Sequence, residues 1–114
     1  NTLYCWGTFD FLLAYVKNAN DYSIAYAAGL KTDNKEKSVV SELRFAQLQQ
    51  AKSEEDFLRR ARRILNQLDG NVSPIRLMQD TRKWFKEFYQ DVWVKSGEKI
   101  AIRWAMEYYQ AASK

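Results

Sequence analysis

An all-α fold, a bundle of about six helices, is what the sequence predicts, on three observations. The 114 residues include one Pro and four Gly, too few turn-formers for a β-sandwich, which needs a turn signal roughly every 8–12 residues. Apolar residues recur at spacings of three and four along most of the chain, the period of a helix with one buried face. The segments with that spacing are separated by short polar breaks that carry helix start and stop residues. The length bounds a single domain over 1–114 with a modest core. A 46% hydrophobic and 15% aromatic composition supplies that core and argues against disorder.

Taken in order, residues 3–17 form a first helix, with Leu3, Trp6, Phe9, Leu13 and Val16 on its inward face. Asn18–Asn20 break it. A second helix runs from about Asp21 to Lys31 and shows a small-residue face at Ala25, Ala28 and Gly29. The charged stretch KTDNKEK is a loop, so 1–37 read as a helix pair plus loop and 38–114 as a basic C-terminal bundle. A third helix starts at Ser38 or a neighbour. Ser53 caps the fourth, with Glu54, Glu55 and Asp56 in its positive first turn. That helix stops near Asp69–Gly70. Ser73–Pro74 open the fifth, which continues to about Val94. Ser96–Gly97 end it, and a sixth covers Glu98 to about Ala112. The expected core is Trp6, Phe9, Leu13, Phe45, Leu48, Phe57, Ala61, Leu65, Leu77, Trp84, Phe88, Ile100 and Trp104.

Composition also narrows function. There is no His and one Cys, which removes the commonest general base, the commonest metal ligand and any internal disulfide or Cys-rich zinc site. Cys5, inside LYCWGTF, reads as a small buried hydrophobe. No apolar run reaches the roughly 18 residues of a membrane span, and no signal peptide is legible. Neither a phosphate loop nor a nucleophile motif is present. Asp80, Glu87 and Asp91 lie dispersed among basic residues and suit helix-surface pairs; Glu87 and Asp91 alone make a poor metal site. The expectation is a protein with no catalytic residues, cofactor or metal.

Charge is uneven. Residues 1–56 carry six Lys/Arg against eight Asp/Glu, and residues 57–114 carry twelve against six. The second half is therefore the candidate polyanion-binding half. Charge alone does not separate that reading from a solvated surface. Helix four sharpens it. At 100° per residue, Phe57, Leu58, Ala61, Ile64, Leu65 and Leu68 share one arc. Arg59, Arg62 and Arg63 lie opposite, with Arg60 on the flank. Arg59 and Arg63 are four apart and repel, a cost that phosphate would relieve. Helix five repeats the arrangement: Leu77, Met78, Thr81, Trp84, Phe85, Phe88 and Val92 face inward, and Arg82, Lys83 and Lys86 face outward. Its aromatic stripe reads as core, not as a base-stacking platform.

Three blocks carry a resemblance. RWAMEYYQA, Arg103 to Ala111, is similar to the ending of CasB proteins. SELRFAQLQQAKSEEDFLRRARRIL, Ser41 to Leu65, resembles that family's central helices, and LMQDTRKWF, Leu77 to Phe85, the helix that follows. The blocks are colinear and extend the match over about Leu3 to Ala112, most strongly from Ser38 onward. The family carries further N-terminal helical sequence, which does not precede Leu3 in this chain.

The resemblance implies a cytoplasmic, non-catalytic small subunit of the type I-E CRISPR surveillance complex, Cascade. It implies CRISPR RNA and target DNA as partners, together with the backbone and large subunits and a second copy placed head to tail, and no membrane. It implies contacts to the target or displaced strand that stabilise the opened duplex, while guide pairing reads sequence. By position in the matching blocks, the residues expected on nucleic acid are Arg44, Arg59, Arg60, Arg62, Arg63, Arg82, Lys83 and Arg103; helix geometry adds Lys86. Trp104 and Tyr108 are expected to pack. The alternative is a helical adaptor or scaffold subunit whose arginines meet an acidic protein.

Overall fold

Six helices form in the computed structural model, which describes residues 2–31, 36–89 and 99–114. They are α1 (Thr2–Leu13), α2 (Ile24–Gly29), α3 (Glu42–Gln49), α4 (Glu54–Gln67), α5 (Pro74–Tyr89) and α6 (Ile100–Ala112). Among the described residues there is no strand, only a single antiparallel bridge between Lys31 and Ser38. None of the described helices is long and apolar enough to cross a membrane.

Local chemistry sets the helix starts. The Ser41 and Ser53 hydroxyls accept from the N–H groups of Arg44 (3.2 Å) and Asp56 (3.0 Å), and Ser73 accepts from Arg76 N–H (3.2 Å). Asp56 reaches back to accept from Lys52 N–H at 3.2 Å, completing a reciprocal cap on α4. The starts of α4 and α5 lie where the sequence places them. Three boundaries differ. Serine at 41, not at 38, caps α3; Ser38 instead donates to the Gly29 carbonyl at 2.7 Å. Ser23 caps α2, which is shorter than Asp21–Lys31. The first helix ends at Leu13: Tyr15 and Val16 N–H tighten to the Leu12 and Leu13 carbonyls (2.9 and 3.1 Å), and Lys17 and Asn18 then donate to the Gly70 carbonyl (3.0 and 3.3 Å). Asp69 and Gly70, both with positive φ, end α4 there. A Cβ at Gly70 would lie 2.4 Å from the Tyr15 carbonyl oxygen, so this junction requires glycine.

The most extensive helix pair is α2 on α6. The small face of α2 explains it. Ala25, Ala28 and Gly29 are all buried, and a Cβ on Gly29 would sit 2.1 Å from the Tyr108 carbonyl oxygen. Phe45 of α3 stacks on Tyr108 (5.5 Å) and meets Trp104 edge-on (5.6 Å), and the Tyr108 hydroxyl donates to the Val40 carbonyl at 2.6 Å. On the other side of the bundle α1 packs across α4 and α5. There Phe57 stacks on Trp84 at 4.3 Å.

Ten of the expected core residues are buried or packed against the core, Phe9 among the latter. Three are not. Trp6, Leu13 and Phe88 are 44%, 40% and 41% exposed. The first helix is apolar nearly all round, so periodicity alone does not choose its inward face; Cys5, Thr8 and Leu12 take that place. Phe88 stacks on Trp84 (4.8 Å) at the end of α5 and turns its other side outward. The Leu3 side chain, Asp91, Val92, the Ser96–Gly97 break and residues 32–35 of the charged loop lie outside the described residues.

Candidate nucleic-acid interface

The arginine-rich flank of α4 borders an open groove against the end of α1. Its volume is about 530 Å³. Five residues of α4 line it, Glu55, Asp56, Leu58, Arg59 and Arg62, with Ser53 at the cap. Lys52 stands at the cap end, and Phe11 of α1 faces them. The floor is the apolar, half-buried Leu58. Arg63 is exposed one residue beyond Arg62.

The expected binding residues divide by what already holds them. Arg59 and Arg60 both pair with Asp56, at 2.5 and 3.1 Å, and Arg60 also donates to the Gln47 carbonyl at 2.5 Å. The sequence reading treats the cluster as free of acids. Helical geometry instead brings Asp56, three and four residues earlier, onto the same face, where it neutralises both. Desolvation pushes the Asp56 carboxyl up, but bonds from the Lys52 N–H and from both arginines together outweigh it and hold it below the usual carboxylate range. Lys83 lies 4.0 Å from Glu87. Among the described residues no acid lies within ion-pair distance of Arg44, Arg62, Arg63, Arg82 or Lys86.

Asp80 is the largest departure from the sequence reading. A helix-surface pair is expected; the structure buries the carboxylate between α5 and α6, where it accepts from Trp104 Nε1 at 3.0 Å and from the Arg103 guanidinium. Burial pushes its pKa above the ordinary value, against the Trp104 bond and the Arg103 charge. Arg103 is therefore committed to a structural network rather than presented free. Glu87 of α5 accepts from Ile100 N–H at 2.8 Å and so caps the start of α6. Cys5 is buried as expected, and desolvation raises its thiol pKa.

The fold thus brings Arg59 and Arg62 together in one groove, with Arg63 adjacent. It leaves Arg44 on the first turn of α3, Arg82 and Lys86 on α5, and Arg103 at the α5–α6 seam. Two groove residues are absent from the sequence reading. Lys52 precedes a cap, where a single lysine carries no periodic signal. Phe11 lies on a helix whose apolar residues surround it, so its exposure, 44%, depends on the tertiary packing.

A model of the family described as CRISPR-associated protein Cse2 matches residues 8–109, which take in α2 to α5 and parts of α1 and α6. No curated protein and no solved structure matches the chain significantly. With the family model covering most of an all-helical chain, the protein belongs to the CRISPR-associated Cse2 family, the CasB small subunits of the type I-E Cascade complex.

Proposed function

We propose that this Cascade subunit is non-catalytic and holds nucleic-acid backbone on the basic flank of α4, so that an opened duplex persists once guide pairing has begun. The observation that carries this reading is the pair Arg62 and Arg63, which has no acidic partner among the described residues and lies beside an open groove. Phosphate contacts of this kind position a strand without reading it, and guide pairing leaves the protein only that task. Arg82 and Lys86 on α5 and Arg44 on α3 lie outside the groove and are assigned separate backbone contacts. Arg59 and Arg60 contribute less, being held by Asp56, and Arg103 contributes chiefly to the fold.

A protein-facing side is supported by a separate feature. On α6, Ile102, Met106 and Tyr109 share the solvent side opposite the core and are 44%, 59% and 51% exposed. That stripe suits docking to other Cascade subunits.

The test is a salt series of DNA binding by the assembled complex, with wild-type subunit and with Arg62→Ala/Arg63→Ala. Log affinity of wild type falls linearly with log salt, and each lost single-strand phosphate contact lowers the slope by about 0.7. An unchanged slope in the variant would remove these arginines from the nucleic-acid path.

A further inference from the structure

We infer that the α1–α4 groove is a seat for one unpaired nucleotide, with its base stacked on Phe11 and its phosphates on Lys52 and Arg62. This rests on the proposed nucleic-acid role and adds to it a base contact that basic residues alone do not supply.

The argument begins with Phe11. An exposed aromatic ring is ordinary on a protein surface. This one lines an open groove together with the half-buried Leu58, three cations (Lys52, Arg59, Arg62) and two carboxylates (Glu55, Asp56). Its ring packs beside that of Tyr15, 5.8 Å away at 40°. The residue remains 44% exposed. Sequence-independent single-strand sites combine those two components: cations that follow the backbone, and an aromatic face that accepts any base.

The charges favour the same ligand. Arg59 is occupied by Asp56, which cancels the acid that would otherwise repel phosphate. Lys52 and Arg62 remain without an acidic partner among the described residues and stand toward opposite ends of the groove wall. Glu55 to Arg62 spans seven residues of α4, about 10 Å along the axis. Glu55, the remaining carboxylate of the groove, repels phosphate and favours the amino edge of a base at its side. A duplex keeps its base faces stacked, so only an unpaired strand presents one to Phe11.

The experiment uses the assembled, guide-loaded complex and measures target-DNA affinity with a subunit carrying Phe11→Ala, Phe11→Leu or Phe11→Trp, beside Arg62→Ala/Arg63→Ala. Phe11→Ala is expected to weaken binding about fivefold or more, with the salt slope unchanged. Phe11→Trp is expected to retain affinity and Phe11→Leu to behave as Phe11→Ala. An abasic site walked along the unpaired strand is expected to weaken wild type at one position and to have no further effect there in Phe11→Ala. Equal affinities for wild type and Phe11→Ala, or full rescue by Phe11→Leu, would overturn the stacking seat. If the arginine variant still lowers the salt slope in that case, the phosphate reading survives alone; if it does not, both fall. Loss of subunit incorporation by Phe11→Ala, with DNA binding intact in the complexes that do form, would assign the groove to a protein partner and overturn the inference.

Discussion

Asp56 and Asp80 each pair with arginine, and they do opposite things. Asp56 sits on the outer flank of α4, caps its own helix and holds Arg59 and Arg60. Asp80 is buried, takes bonds from Trp104 and Arg103, and so joins α5 to α6. Solvent decides the difference. Near water, donors stabilise the charged carboxylate and lower its pKa; in the interior, lost hydration outweighs two good donors and raises it. An arginine beside an acid is thus surface tuning in one region and an interhelical clamp in the other.

The largest expected effect breaks the clamp. Asp80→Ala leaves the buried Trp104 N–H without an acceptor and Arg103 without its carboxylate. A loss of about 2–3 kcal/mol is expected in urea unfolding, moderated by the partial exposure of Arg103. Ser53→Ala removes only the hydroxyl cap of α4, and about 1 kcal/mol is expected by the same measurement.

The pH dependence sharpens the contrast in sign. The folded pKa of Asp80 is raised above the ordinary 3.8. Its contribution to stability is therefore fully present below that value and lost as pH rises through the raised one. The folded pKa of Asp56 is lowered, so its contribution is present above 3.8 and lost as pH falls through the lowered value. Urea midpoints measured between about pH 3 and 7 should show Asp80→Asn removing the first component and Asp56→Asn the second. Asp56→Asn should also raise DNA affinity, because it releases Arg59 and Arg60.

The smallest stability change is expected from Arg62→Ala/Arg63→Ala. With no intramolecular partner to lose among the described residues, each substitution should stay within about 0.5 kcal/mol. The same double variant should weaken DNA binding. Comparable losses in both assays would place these arginines with Arg103 instead, as part of the fold.

Much of this was legible because it is local. The caps at Ser53 and Ser73 and the stop at Asp69–Gly70 depend on residues within one turn. The core arc of α4, Phe57 to Leu68, follows from a strong contrast between apolar and charged faces. The small face of α2 announced a close helix contact, though not that α6 would fill it. The outward face of α4 is equally clear, but the sequence reading gives Asp56 a dipole role alone, whereas it also holds Arg59 and Arg60.

Spacing within single segments was enough for the all-helical class, the limits of α4, the start of α5, the family and the arginine-rich flank of α4. Only the packing of helix on helix fixed which side of α1 is buried, that Phe11 opens onto the groove of α4, and that Asp80 holds Arg103 in an ion pair. Those outcomes depend on which helix arrives opposite. A nearly uniform apolar helix, or a charge with partners on another element, carries no record of that in its own neighbours.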